Sequence, residues 1–158
     1  MARKYWLFKV EPEAYSIERL EKDGTTCWEG VRNYQARNFL RDDVKVGDLV
    51  LVYRSNAEPS GVAGTAEVCR AGYPDPFAFD QRSPYFDDKS RRESPTWFAV
   101  DIRFRSRCRR VISLAELRGQ NQLAGMLVLR KGQRLSVMPV TQQEFEAVEK
   151  LAGATCAS

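Results

Sequence analysis

Residues 96–107 alternate apolar and charged side chains, and this alternation restricts the fold more than any other feature of the chain. The apolar positions are Phe98, Val100, Ile102 and Phe104, and the charged positions are Asp101, Arg103, Arg105 and Arg107. Since successive side chains of a β-strand point to opposite faces, a period of two predicts a strand. We therefore expect a sheet or barrel with one buried face and one wet, basic face.

The other apolar patterns predict further strands and short helices around that strand. Strands are predicted at residues 5–10, 49–54, 62–70 and 134–140, the middle two as a wide hairpin. Helices are predicted from a Ser16 cap to Gly24, from an Asn33 cap to Leu40, at residues 113–118, and after the capping box Thr141-Gln142-Gln143-Glu144. The last helix carries an apolar stripe at Phe145, Val148, Leu151 and Ala152. This mixture indicates the α+β class.

The segment 71–95, AGYPDPFAFDQRSPYFDDKSRRESP, contains four prolines and has no clean periodicity. Its five aromatic residues are Tyr73, Phe77, Phe79, Tyr85 and Phe86. Long irregular segments inside compact domains are usually functional or disordered, and aromatic residues argue against disorder. We therefore expect an ordered flap that is packed by its own rings.

Length and composition indicate one globular domain over residues 1–158, large enough to bury a core. No run of 18 apolar residues occurs, and Glu11-Pro12 interrupts the position of a secretory signal, so we expect no membrane span and a cytoplasmic location. Four cysteines lie far apart without a C-x-x-C pair, so we expect them to be reduced and to bind no zinc.

The absence of histidine limits the chemistry that the chain can perform. Without the usual proton shuttle and the commonest metal ligand, Ser-His-Asp, Cys-His and most zinc-hydrolase schemes are excluded. No phosphate-cradling or dinucleotide-binding glycine motif is present, and the acidic residues Asp75, Asp80, Asp87 and Asp88 are typical turn formers. We therefore expect no catalytic residue, no metal and no cofactor.

The stretch TCWEGVRNYQARN, residues 26–38, places Trp28 beside many planar hydrogen-bonding groups. A flat base needs a ring to stack on and amide or backbone groups to read its edge, and Asn33, Ser55 and Asn56 are candidate edge readers. A core position for Trp28, and capping or turn roles for the polar residues, explain each residue equally well when it is taken singly. The grouping favours a base-binding pocket.

Arginine makes up 18 of the 25 basic residues, and several arginines cluster on the alternating strand. Arginine grips phosphate in two places and stacks on rings, so this bias suggests nucleic acid, although GC-rich coding explains it as well. The candidate contacts to a phosphate backbone are Arg32, Arg37, Arg54, Arg103 and Arg105. A solvated strand face that prevents edge pairing is the alternative for the arginines on the strand.

Six ordered blocks over residues 4–151 carry a resemblance to a known family. They are YWLFKVEPEAYSIERL, WEGVRNYQARNFLR, VGDLVLVYRSN, GVAGTAEV, YPDPFAFDQRSPYFD and RLSVMPVT. In this order they resemble the EVE-domain family of the PUA-like superfamily, which is related to the YTH readers of methylated RNA. The resemblance implies a partly open β-barrel of about five to six strands flanked by short helices, and a non-enzymatic role.

The resemblance also implies a site. Trp28 would form a pocket wall with Asn33 and Tyr34 close by, and Ser55-Asn56 would reach the base edge. The segment Tyr73-Pro74-Asp75 would close one side, and Leu129 would line the floor. Two positions depart from the family pattern, since Val10 stands where serine is common and Arg54 where histidine is common.

The sequence therefore predicts a non-catalytic domain that binds a modified nucleobase in DNA or RNA, either methylated or hydroxymethylated cytosine or methylated adenine, in an aromatic-lined pocket. Two alternatives stay open. One is a protein-interaction module that uses the aromatic flap as its partner surface, and the other is a subunit of a carboxylate-dependent hydrolase. The oligomeric state does not follow from the sequence.

Overall fold

The computed structural model of the protein describes residues 3–130, 135–153 and 155–156. Its core is one mixed sheet with helices packed on it. The strands are β1 (Tyr5–Val10), β2 (Thr25–Trp28), β3 (Leu49–Arg54), β4 (Gly61–Pro74), β5 (Phe98–Ser113), β6 (Val137–Val140) and β7 (Thr155–Cys156). The α-helices are α1 (Ile17–Asp23), α2 (Tyr34–Asn38), α3 (Leu114–Arg118) and α4 (Gln142–Ala152).

The sheet has the strand order β2-β5-β4-β3-β1-β6, and the short strand β7 pairs with β5. Strands β1 and β3 are parallel and the other pairs are antiparallel. Within the described ranges β2 and β6 end the order and do not pair with each other, so the sheet does not close. The predicted α+β class and partly open barrel are confirmed.

The helix ends follow the predicted caps. Ser16 accepts a hydrogen bond from the backbone of Arg19 and begins α1, and Gly24 ends that helix with a positive φ of 81°. Asn33 caps α2 through its side chain, and the chain then continues as a π-helical turn over Phe39–Asp43. Capping boxes begin α3 and α4, and they satisfy backbone donors that have no partner inside the helix.

Two strands are longer than their sequence patterns predict. Strand β5 continues to Ser113, because β4 pairs with it along its whole length, from Gly61 opposite Ser113 to Pro74 opposite Phe98. Strand β4 likewise continues to Pro74, so the first residues of the predicted flap belong to the sheet. The prediction for the last strand is confirmed from Val137 onward, and Arg134 lies outside the described residues.

The core lies between the sheet and the helices. Phe8, Leu51 and Ile102 from the sheet are fully buried, and Phe145 and Val148 of α4 pack with them. On the predicted apolar face of β5, Val100 and Ile102 are buried and Phe98 and Phe104 are half-buried, whereas Arg103 and Arg107 on the other face are exposed.

One carboxylate inside this core holds the start of the chain against the turn before β3. Asp48 is 3% exposed, and it accepts hydrogen bonds from Trp6 Nε1 at 2.9 Å and from the backbone N–H groups of Lys4 at 3.1 Å and Lys45 at 2.9 Å. A buried donor without an acceptor is costly. Asp48 therefore stabilises the parallel pairing of β1 with β3.

We predict that Asp48→Ala lowers the free energy of unfolding by about 3 kcal/mol, because three donors lose their acceptor. Urea unfolding followed by tryptophan fluorescence measures this change. Asp42→Ala is the matched control, since Asp42 is exposed and pairs with the exposed Arg41, so a loss below about 1 kcal/mol is expected. Equal losses for the two variants would contradict the assignment.

Candidate nucleic-acid interface

A cavity of about 760 Å³ lies where β1, β2 and β3 end, and we call it the strand-end cavity. Its walls come from five separate parts of the chain. They are Lys9, Val10, Glu11, Ala14 and Tyr15, the run Thr26 to Val31, Ser55 and Asn56, and Tyr85 and Ser136. The sheet order brings these ends together, because β1 pairs with β3 in parallel and both strands therefore end at the same edge.

Trp28 belongs to the core and to the cavity wall at once. Its side chain is 6% exposed, and its ring lies 5.6 Å from the ring of Phe8 at a tilt of 39°. The remaining exposed surface faces the strand-end cavity, which Trp28 lines. Phe8 therefore fixes the orientation of the indole, and the indole forms a rigid back wall.

A second ring, Tyr85, is brought to the cavity by a glycine. Gly30 has a φ of +82°, and a Cβ atom at this position would lie 2.6–2.8 Å from atoms of the Tyr85 ring. Such distances are shorter than real contacts, so only glycine allows the ring to lie on the backbone here. The flap reaches the cavity at this contact, and Tyr15 provides a third ring in the lining.

The buried carboxylate of Asp75 joins the flap to the segment after β2. Asp75 is fully buried, and its Oδ2 accepts from the backbone N–H of Gly30 and from Nη1 of Arg32, both at 2.9 Å. Its Oδ1 accepts from the backbone N–H of Phe77 at 2.8 Å. The charge is thus paired and hydrogen-bonded, as a buried charge requires.

Arg32 extends this connection to the far part of the flap. Its Nη2 donates to the carbonyl of Tyr85 at 2.6 Å, and its guanidinium lies over the rings of Tyr85 and Trp97 at 5.6 and 5.2 Å. The ring of Tyr34 stacks on the ring of Trp97, with their centroids 5.0 Å apart. Arg37 donates a hydrogen bond to the backbone carbonyl of Thr96 at 2.7 Å. These contacts come from residues before the flap and hold both the flap and the residues that follow it, whereas the sequence predicted packing by the flap's own rings.

Partial burial shifts the pKa of two ionisable side chains in the lining, Glu29 and Lys9. Burial raises the pKa of the Glu29 carboxyl, and the negative charge of Asp75 raises it further. Burial lowers the pKa of the Lys9 ammonium. At the rim, Asn56 adopts a positive φ of 50° and donates to Glu11 Oε1 at 2.7 Å. The cavity therefore offers both donors and acceptors beside its rings.

The structure places the residues expected in the base pocket in two groups. Trp28, Ser55 and Asn56 line the strand-end cavity. The others lie outside its lining, namely Asn33, Tyr34, Tyr73, Pro74, Asp75 and Leu129. Asn33 caps α2, Tyr34 stacks on Trp97, and Leu129 packs against the core.

Tyr73 supports the cavity from behind. Its hydroxyl donates to Asp101 Oδ1 and contacts Cys27 Sγ at 3.0 Å, and Cys27 is itself part of the lining. Burial, followed by the hydrogen bond to Asp101, raises the pKa of Tyr73, and burial raises the pKa of Cys27 to about 11. Both groups therefore stay neutral near pH 7.

Most of the arginines expected on a phosphate backbone have partners within the protein. Arg103 pairs with Glu67 and Arg105 with Glu149, so the basic strand face is largely compensated. Arg32 is held by Asp75, and Arg37 by the carbonyl of Thr96. Arg54 differs, because its Nε atom is buried and has no hydrogen-bond partner in the described part of the chain.

Reasoning from the sequence missed several residues of the lining, above all Lys9, Tyr15, Glu29, Tyr85 and Ser136. The sequence did contain one signal for Lys9 and Glu29. They directly follow the aromatic residues Phe8 of β1 and Trp28 of β2, and they therefore lie near the ends of these strands. No local pattern identifies Tyr85, because its contact with Gly30 depends on the path of the flap.

An open mixed barrel, flanked by helices and with an aromatic-lined cavity at its strand ends, defines a PUA-like domain. A family model, the EVE domain, matches residues 4–151. The chain thus belongs to the EVE-domain family, a non-enzymatic family, as the resemblance of the sequence implied.

Known proteins and solved structures agree with this assignment. The chain is 40% identical to thymocyte nuclear protein 1 of Homo sapiens over 93% of this chain and 73% of that protein. A structure of a hypothetical protein from Leishmania major has a TM-score of 0.92 and 43% identity over 96% of both chains. Human THYN1 protein, crystallised with 5-methylcytosine-containing DNA, has a TM-score of 0.87 and 40% identity over 94% of this chain and 97% of that one.

Two further observations concern metals and membranes. Over residues 3–130, 135–153 and 155–156, no three His, Cys, Asp or Glu side chains converge as a metal site. Within the same ranges, none of the helices has the length and apolar character needed to span a membrane.

We predict that Gly30→Ala lowers the free energy of unfolding by about 3 kcal/mol, from a strained φ and the clash with Tyr85. Gly24→Ala is the matched control, because Gly24 has a φ of +81° and nothing within 4 Å, so about 1 kcal/mol is expected. In a Tyr85→Ala background the cost of Gly30→Ala should fall to that of the control. Equal costs at the two glycines in the wild-type background would show that no such contact exists.

Proposed function

We propose that this chain reads modified cytosine in DNA by holding the base, extruded or single-stranded, in the strand-end cavity. The proposal rests on the convergence of three rings and several hydrogen-bonding side chains on one open cavity. The human homologue crystallised with 5-methylcytosine-containing DNA supports the choice of ligand, since it shares 40% of its residues with this chain.

The volume of the cavity suits a nucleobase. Small-molecule sites in proteins have volumes of roughly 300–1,000 Å³, and the strand-end cavity has about 760 Å³. Trp28 would be the rigid back wall, and Tyr85 and Tyr15 would flank the base. Stacking is worth roughly 1–3 kcal/mol per base, and extrusion from a duplex costs a few kcal/mol, so hydrogen bonds to the base edge must supply the difference.

Glu29 and Lys9 are the charged groups that would read the edge. The exocyclic amine of cytosine donates hydrogen bonds, and a carboxylate is the usual acceptor for it, which suits Glu29. The ring carbonyl of cytosine accepts, and the ammonium of Lys9 is a donor. Asn56 and Ser55 would add contacts at the rim. The cavity thus matches the alternation of donor and acceptor on a cytosine edge.

The methyl group would contact the apolar part of the wall. Burying one carbon is worth about 0.8 kcal/mol, which corresponds to roughly fourfold in affinity. Larger selectivity requires that an unmodified base leaves a gap in the aromatic wall. The rigid position of Trp28 against Phe8 provides a wall that does not move in to fill such a gap.

We predict that Trp28→Phe lowers affinity for 5-methylcytosine oligonucleotides about tenfold, with little change for unmodified ones. Fluorescence anisotropy with matched single- and double-stranded DNA measures this ratio, and RNA, hydroxymethylcytosine and methyladenine oligonucleotides test the other ligands. Trp6→Phe is the control, because Trp6 is also buried, donates to Asp48 and does not line the cavity. Equal, weak binding of all oligonucleotides by wild type and both variants would refute the proposal.

We also predict that binding weakens as pH falls. Burial raises the pKa of Glu29 above its ordinary value, so its carboxylate takes up a proton at a pH where an exposed glutamate stays charged. The protonated group no longer accepts fully from the cytosine amine, so affinity should drop as pH falls, and the drop should begin at a higher pH than the titration of an exposed glutamate.

Titrations of one 5-methylcytosine oligonucleotide at several pH values, with wild type and Glu29→Gln, measure this dependence. Glu29→Gln should bind more weakly at pH 7 and show a nearly flat pH profile. A wild-type affinity that rises as pH falls would mean that the protonated carboxyl is the binding form.

A further inference from the structure

A second cavity, of about 310 Å³, lies beside the strand-end cavity, and we call it the arginine cavity. It is formed by the start of α1, the ends of β1 and β3, and the second half of β5. Its charged lining residues are Arg54, Arg107, Arg109, Arg110 and Glu18. The lining therefore contains four arginines and one acidic residue.

The charges of these arginines are only partly compensated. Arg107 pairs with Glu21 at 3.0 Å, and Arg110 pairs with Glu116. Among the described residues, Arg54 and Arg109 form no ion pair. An anion that enters this cavity would meet a local excess of positive charge within low-dielectric walls, which strengthens its attraction.

Arg54 carries a buried hydrogen-bond donor that has no acceptor among the described residues. Its Nε–H is shielded from solvent and has no acceptor within the described chain, although buried donors are nearly always paired. Arginine presents Nε and a terminal nitrogen as a fork that matches two oxygens of one phosphate. A small turn of the half-buried guanidinium toward the cavity would let a phosphate oxygen satisfy this donor.

The position of the arginine cavity relates it to the base site. Val10 and Tyr15 line both cavities, so the two share one thin wall. In a nucleotide, one sugar separates the base from its phosphate. A chain whose base occupies the strand-end cavity would thus carry a phosphate to the neighbouring opening.

We infer that the arginine cavity binds one phosphodiester group of the nucleic acid, next to the nucleotide whose base lies in the strand-end cavity. Arg54 is the central ligand and Arg109 a second one. This inference rests on the proposed function, but it concerns total affinity and salt dependence, whereas base recognition concerns the ratio between modified and unmodified DNA.

The test uses wild type, Arg54→Gln, Arg54→Lys and Arg109→Gln in anisotropy titrations over a series of salt concentrations. Arg54→Gln should lose about tenfold in affinity for modified and unmodified oligonucleotides alike, with their ratio unchanged. The slope of log affinity against log salt should fall by about 0.7–0.9, as expected for one lost phosphate contact.

The variant Arg54→Lys should recover part of the affinity, because it restores the charge without the planar fork of arginine. Arg41→Gln, which removes an exposed arginine that lines neither cavity, should leave the slope nearly unchanged.

A second arm replaces single phosphates near the modified base with neutral methylphosphonates. One replacement should weaken wild type about tenfold and have no further effect on Arg54→Gln. Unchanged affinity and salt slope in a folded Arg54→Gln would overturn the inference. The inference would also be overturned if the cavity binds inorganic phosphate in NMR titrations but no methylphosphonate replacement changes the affinity. The site would then bind a free anion. If the wild type binds modified and unmodified oligonucleotides with equal affinity, that result would instead count against the proposed function.

Discussion

The buried carboxylate of Asp75 is the interaction on which the geometry of the site depends. It accepts from the backbone N–H of Gly30 and the guanidinium of Arg32, and from the backbone N–H of Phe77 in its own turn, so one side chain joins the segment after β2 to the flap, more than forty residues away. Removing this carboxylate leaves the half-buried guanidinium of Arg32 without its ion-pair partner and two backbone donors without an acceptor, and the cost exceeds that of any single surface contact. Through Arg32, the same carboxylate indirectly holds Tyr85, and thus one wall of the strand-end cavity.

The site separates residues that support the cavity wall from residues that line the open space. Asp75, Tyr73 and Phe8 lie behind the lining and hold its members, whereas Trp28, Glu29 and other lining residues face the open space. A preorganised wall does not have to be ordered when a ligand binds, which lowers the entropic cost of association. The resemblance to the family placed both kinds of residue in one pocket, and only the three-dimensional arrangement separates them.

Local patterns predicted the fold well, because strand period, helix caps and capping boxes depend on residues that are close in sequence. Asn33, for example, is a helix cap for reasons visible within four positions. The site was predictable only where it coincides with strand ends, as at Trp28, Ser55 and Asn56. Tyr85 could not be predicted, because its place depends on a contact across more than fifty residues with Gly30. The carboxylate partners that neutralise the arginines of β5 are long-range for the same reason, so a basic strand in sequence is not a basic face in space.

The unpaired edge of β2 has a consequence for experiments on this domain. Within the described residues, this strand pairs with β5 on one side alone, and the run that begins at Thr26 borders the strand-end cavity. An edge strand leaves alternate N–H and C=O groups without a strand partner, so a flat polar guest meets main chain as well as side chains. Side-chain replacement does not remove these groups. Under the proposed function, alanine scanning would therefore underestimate the contribution of this segment to binding, and backbone amide-to-ester exchange would be the appropriate probe of it.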